Sequence, residues 1–215
     1  EGGLLVQGVV RGSAAADAGI KPPRQWVVMG NTEVGVGGDL IMAIEGRPVN
    51  RMDAITRALS NKRPGDRLSA GTVNGVVHVW DLRQGRLLHT LSGHTESVWT
   101  VAISSDGKRI FSGSCDGTIK VWDADSGSLR ETVKAHENHV NAVALSPDGR
   151  KMVSGGWDNT LGIWEMASGA PSLLTRQAEP CDIACAVISP DGQRIYSGGF
   201  DGKGAISIRD LATGR

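Results

Sequence analysis

Several short groupings carry the side chains that hydrolysis or metal binding would need. Ser154-Gly155-Gly156 and Ser197-Gly198-Gly199 match the last three letters of the G-x-S-G-G motif of a nucleophilic serine, but Met152 and Ile195 stand where its first glycine belongs. A serine nucleophile also needs a base and an oxyanion hole built around it, and neither is signalled here, so no catalytic residue is expected. His136-Glu137-Asn138-His139 holds two imidazoles three residues apart, one short of the spacing on a zinc-binding helix. Asp123-Ala124-Asp125-Ser126-Gly127 begins like a calcium loop, yet Gly127 fills the fifth position and Lys134 the twelfth, where a bidentate Glu is required. It reads as a turn between successive structural units. Cys181 and Cys185 have no second pair to complete a metal site, and Cys115 follows an apolar run, so ordinary packing is expected of all three. Gly35-Val36-Gly37-Gly38 lacks the spacing and the following helix of a phosphate cradle. No metal and no other cofactor is expected.

The elements that must position these side chains recur. Val79-Trp80-Asp81, Val121-Trp122-Asp123 and Ile163-Trp164-Glu165 follow one another at intervals of 42 residues, and Ile208-Arg209-Asp210 comes 45 later. Ser105-Asp106-Gly107, Pro147-Asp148-Gly149 and Pro190-Asp191-Gly192 mark turns in step with them. Ser112-Gly113-Ser114, Ser154-Gly155-Gly156 and Ser197-Gly198-Gly199 end apolar runs and precede Asp116, Asp158 and Asp201. Each unit reads as four short strands joined by polar turns.

Composition fits a chain that turns often. Glycine supplies 30 of 215 residues, about twice average usage, and six of the nine aromatic residues are Trp. The 23 basic and 23 acidic side chains cancel, which removes the net field that would draw the chain to nucleic acid or to an anionic membrane. Three cysteines are too few, and of the wrong parity, for a disulfide framework. No stretch approaches the ~18 apolar residues of a spanning helix, and Val76-Val77-His78-Val79-Trp80 fits a buried strand. Neither nucleic acid nor membrane insertion is therefore expected.

Units of this length with these landmarks resemble WD repeats, the blades of a β-propeller. In that family the Trp of the third strand, the Ser of the second, a His before the first and the Asp of the tight turn form a hydrogen-bonded network. The resemblance assigns it to His94, Ser112, Asp116 and Trp122 in one blade and His136, Ser154, Asp158 and Trp164 in the next, with 22 residues from His to Asp in both. The last unit has Arg209 for Trp and no His near Ala178, and the first has Asn74 for Asp, so both should be looser. Residues 69–215 then hold about three and a half blades, beginning with a half blade from Leu68 to Leu82, too few to close a ring of four to eight. Either the chain is part of a longer protein, the preferred expectation, or self-association completes the propeller. Partners of WD propellers meet side chains at the start of the first strand and before the turn Asp. By position these are Ser97, Trp99, Cys115, His139, Asn141, Trp157 and Phe200. Packing between blades is the competing reading for the aromatic ones.

Residues 1–68 lack the repeat. Gly3-Leu4-Leu5-Val6 opens a strand to Val10, Asp39 to Ile44 is a second strand, and Asn50 caps a helix with Met52, Ile55 and Leu59 on one face. The order GLLV, GSAAADAG, GGDLIMAIEGRPV, helix and PGD resembles the PDZ domain of HtrA-type serine proteases, in truncated form, with Lys21 to Gly38 as a long inserted loop. That resemblance implies an α+β unit in which a peptide, C-terminal or extended, adds beside Val6 to Val10. Its carboxylate would meet the backbone of Leu4, Leu5 and Val6, and its side chain would enter a pocket of Met52, Ile55 and Leu59. Asn74-Gly75 signals a hairpin, assigned to the first blade.

The expected fold is therefore mainly β, a small PDZ-like domain at 1–68 followed by a partial WD-repeat propeller at 69–215. The expected function is a non-enzymatic scaffold that binds proteins or peptides. The alternative is the regulatory part of an HtrA-like serine protease whose catalytic domain lies before Glu1, a first residue that reads as a truncated or processed end. HtrA resemblance points to the bacterial envelope and WD repeats to the cytoplasm, so the compartment stays open.

Overall fold

β-Branched residues alternate with Asp-Gly and Ser-Gly turns along the repeats, and the chain accordingly folds into consecutive antiparallel sheets. The computed structural model describes residues 4–5, 25–29, 32–36, 40–44, 47–48, 67–81, 86–166, 171–199 and 206–215. The sequence-expected Val6 loop, the helix with Met52, Ile55 and Leu59, and Phe200 and Asp201 lie outside the described residues.

Two complete units are present as four-stranded sheets. The first joins β9 (Val98–Ile103), β10 (Arg109–Ser114), β11 (Thr118–Asp123) and β12 (Leu129–Lys134) in chain order. The second joins β13 (Val140–Leu145), β14 (Lys151–Gly156), β15 (Thr160–Glu165) and β16 (Ser172–Ala178). A three-stranded sheet follows, of β17 (Ile183–Ile188), β18 (Arg194–Gly199) and β19 (Ile206–Asp210). The Asp123 to Gly127 segment, expected between blades, instead links β11 to β12 within one sheet.

The sheet that precedes these contains β6 (Arg67–Thr72), β7 (Val76–Asp81) and β8 (Arg86–Ser92). Its inner neighbour is β4 (Leu40–Ile44), which pairs with β6 through Ile41↔Thr72, Ala43↔Gly71 and Ile44↔Ala70. β4 also pairs with β1 (Leu4–Leu5) and β5 (Arg47–Pro48). The sequence signals the Asn74-Gly75 hairpin and a strand over Asp39 to Ile44, but not that the two join in one sheet, because β4 lies outside the 42-residue beat. Within the segment read as a long loop, β2 (Gln25–Met29) and β3 (Thr32–Val36) form a hairpin, whose valines at 27, 28, 34 and 36 favour extended pairing.

Three apolar cores lie between successive sheets. Val77, Val79 and Leu91 pack with Val98, Ile110 and Trp122. Phe111, Ile119 and Val121 pack with Val143, Met152 and Trp164. Val153, Leu161 and Ile163 pack with Ile183, Ala186 and Ile195. Trp122 and Trp164 thus each seal their sheet against the one before. The middle strands are buried on both faces, whereas outermost β12 and β16 are mostly exposed. Ile206 and Ile208 of β19 and Val187 of β17 are exposed.

Glycine sets the spacing of the sheets. A Cβ on Gly155 would lie 2.4 Å from Ile183 Cγ2, and one on Gly113 2.7 Å from Val140 Cγ1. In each case a β-branched residue opening the next sheet sits where a side chain would stand. Gly155→Ala is expected to lower the unfolding free energy by about 1–3 kcal/mol through overpacking. In a chemical-denaturation double-mutant cycle, Ile183→Ala should recover part of that loss.

Candidate protein-interaction face

The framework of this face is a buried polar chain in each complete sheet. Trp164 Nε1 donates to Ser154 Oγ at 2.9 Å, Ser154 Oγ lies 2.8 Å from His136 Nε2, and His136 Nδ1 lies 2.9 Å from Asp158 Oδ1. In the preceding sheet Trp122 Nε1 donates to Ser112 Oγ at 2.8 Å, Ser112 meets His94 Nε2 at 2.8 Å, and His94 Nδ1 meets Asp116 at 2.8 Å. Backbone N–H groups of Thr95 and Glu137 donate to the same two carboxylates.

One protonation pattern satisfies every donor. Each indole N–H occupies its serine oxygen, the serine hydroxyl donates to His Nε2, and a neutral imidazole donates from Nδ1 to the carboxylate. Burial lowers the pKa of His136 from its ordinary 6.5, against the opposing pull of Asp158. Burial alone would raise Asp116 and Asp158. Hydrogen bonds from His94 and Thr118 to the first, and from Thr160 and the Glu137 backbone to the second, outweigh it and hold both carboxyls below their ordinary range.

The three-stranded sheet fills these positions differently. Glu179 lies 18 residues before Ser197, the interval that separates His136 from Ser154, and Arg209 pairs with Ile195 as Trp164 pairs with Met152. Arg209 Nε donates to Glu179 Oε1 at 2.7 Å and Ser207 Oγ to Oε2 at 2.9 Å, with the Glu179 side chain only 3% exposed. An Arg–Glu ion pair thus stands in for the Trp–Ser–His–Asp network. Sequence reading missed Glu179, although the 18-residue interval to Ser197 would have found it.

At one end of the sheets, the loops before β9 and β13 meet the β10–β11 and β14–β15 turns. Ser97 Oγ donates to Val73 O at 2.9 Å, and the Cys115 backbone N–H donates to Ser97 O. Trp99 Nε1 donates to Cys115 Sγ at 2.6 Å. The Trp99 and Trp157 rings lie 6.4 Å apart, and His139 stacks on Trp157 at 4.7 Å. Trp99, Cys115, His139 and Trp157 are all half-buried, so they form one continuous cluster across two sheets with part of its surface open to solvent. Asn141 is buried and donates from Nδ2 to Ile183 O in the next sheet. Burial pushes the Cys115 thiol up to about 11, against the Trp99 N–H bond that favours the thiolate. Leu4 and Leu5 lie in β1, at the end of the first sheet's strand order.

Four-stranded antiparallel sheets with a buried Trp–Ser–His–Asp chain define a WD-repeat protein. The WD domain, G-beta repeat, matches residues 85–123, 127–165 and 172–203, which is 110 of 215, and the chain belongs to that family. It is similar to Mitochondrial division protein 1 of Eremothecium gossypii, at 45% identity over 38 residues, 18% of this chain and 5% of that protein. Mitochondrial division protein 1 of Saccharomyces cerevisiae is 52% identical over 31 residues, 14% of this chain and 4% of that protein. The chain therefore spans about one-twentieth of the length of the curated relatives it matches. WD-repeat proteins are generally non-enzymatic scaffolds that mediate protein interactions.

Ser154→Ala leaves the Trp164 N–H and a His136 nitrogen buried without a partner, so it should cost about 1–3 kcal/mol of unfolding free energy in urea titration. Acid should destabilise the chain in two steps. The folded pKa of His136 lies below 6.5, so its contribution is complete above that pH and lost as pH falls. Asp116 and Asp158 lie below 3.8, so theirs is complete above about pH 4 and lost below it. Thermal midpoints followed by circular dichroism should be level above pH 7, decline from about pH 6.5 and fall again below about pH 4, with Asp158→Asn removing part of the second step.

Proposed function

We propose that this chain is a non-enzymatic scaffold whose protein partner docks on the loop end that carries Ser97, Trp99, Cys115, His139, Asn141 and Trp157. The observation that carries this reading is the continuous Trp99–Trp157–His139 cluster, half-buried and spanning two adjacent sheets. Large aromatic side chains held rigidly, with part of their faces open, release much apolar surface from water on docking and lose little conformational entropy in doing so. Phe200 extends the same set of positions in the next repeat.

A second contribution, capture of an extended or C-terminal peptide by the first third of the chain, is supported by the PDZ-like motif order. β1 ends the strand order of its sheet, the position at which an added strand pairs. In that reading Leu4, Leu5 and Val6 hold the carboxylate and Met52, Ile55 and Leu59 the side chain. The exposed Val187, Ile206 and Ile208 supply the face that a second copy of the chain would cover on self-association.

Affinity capture followed by mass spectrometry separates the two binding modes. Trp99→Ala with Trp157→Ala should abolish capture of the protein partner, by more than tenfold, while leaving a C-terminal peptide library bound. Leu5→Asp should do the reverse. Full capture by every variant would dispose of both assignments.

A further inference from the structure

Glu96, Cys115 and His139 converge at the same loop end, each placing one ligand atom within 4.8 Å of the others. Their positions are fixed from the backbone. Ser114 Oγ donates to Glu96 O at 3.1 Å, the Cys115 N–H donates to Ser97 O at 2.9 Å, and the Trp157 N–H donates to His139 O at 3.0 Å. Asn138 further anchors the His139 loop, accepting from the His139 N–H and donating to Trp157 O.

Two independent observations point to a ligand there. His139 Nδ1 is buried with no hydrogen-bond partner, a costly state for an imidazole nitrogen in either tautomer, since it lacks a donor when bare and an acceptor when protonated. The Trp99 indole N–H is aimed at Cys115 Sγ, the outer hydrogen bond that stabilises negative charge on a metal-bound sulfur. A thiolate, an imidazole and a carboxylate together suit zinc, whereas calcium and magnesium call for oxygen ligands throughout.

We propose that Glu96, Cys115 and His139 bind a divalent cation of the zinc class, with a fourth position left open to water. On binding, the Cys115 S–H bond breaks, a metal–sulfur bond forms and the proton passes to solvent. Zinc bonds of about 2.0–2.3 Å place tetrahedral ligands roughly 3.3–3.8 Å apart, so atoms that lie within 4.8 Å of one another close by at most roughly 1–1.5 Å. Rotation of the exposed Glu96 side chain brings its carboxylate in. The site lies within the face proposed for partner docking but does not depend on that reading, since a cation can bind whether or not a protein does.

The test is titration of the full 215-residue chain, reduced and freed of metal, with cobalt(II). A tetrahedral thiolate site gives intense visible d–d bands and a near-ultraviolet sulfur-to-cobalt charge-transfer band, saturating at about one equivalent and displaced by zinc. Cys115→Ser should remove the charge-transfer band, and His139→Ala should weaken cobalt affinity at least tenfold. The Cys181→Ser, Cys185→Ser double variant should retain both the band and the affinity. Unchanged thermal midpoints in Cys115→Ser and His139→Ala show that the fold is intact. Absence of the band, or a band that either Cys115→Ser or His139→Ala leaves unchanged, overturns the proposal, and partner capture by the same variants is scored separately.

Discussion

Everything in the two complete sheets hangs on a serine hydroxyl that is hydrogen-bonded on two sides. Ser112 and Ser154 accept from an indole on the third strand and face an imidazole from the loop before the first, and both hydroxyls are buried. A buried oxygen in that position fixes three segments at once, because releasing any of them leaves a desolvated donor or acceptor behind. The imidazole passes the constraint on to the turn, where Asp116 and Asp158 also hold backbone N–H groups of the preceding loop.

The same loops carry the outward face. Cys115 and Trp157 immediately precede the two network carboxylates, and His139 lies three residues beyond His136. Burying the network therefore orients its neighbours toward solvent and toward each other, and the Trp99–Trp157–His139 stack follows from it. A rigid interior is what lets half-buried aromatic rings, and the Glu96, Cys115 and His139 ligand atoms among them, hold their places on loops.

Spacing between sheets has a different origin. Gly113 and Gly155 leave room for Val140 and Ile183, and Trp122 and Trp164 close the core against the preceding sheet. Where the Trp–Ser–His–Asp network is absent, Glu179 and Arg209 occupy the corresponding places as an ion pair, with Ser207 as a second donor. A guanidinium and a hydroxyl satisfy the two oxygens of that buried carboxyl.

The sequence by itself determined the repeat. Trp, Asp and Ser-Gly landmarks at fixed intervals need only local chemistry, so strands and turns could be read from spacing, and the resemblance to WD repeats then named the members of both networks. Glycine was legible as turn punctuation but not as inter-sheet clearance, since the clashing atoms of Ile183 and Val140 lie far along the chain. The resemblance to WD repeats singled out Trp99 and Trp157, while their approach to each other was not legible, because they belong to different repeats. Only the tertiary structure placed β4 beside β6, put Glu179 against Arg209 and gathered Glu96, Cys115 and His139. The physical reason is common to all three. Pairing of strands, ions and ligands across distant segments depends on which sheets stack, and the period of one repeat carries no information about its neighbour's side chains.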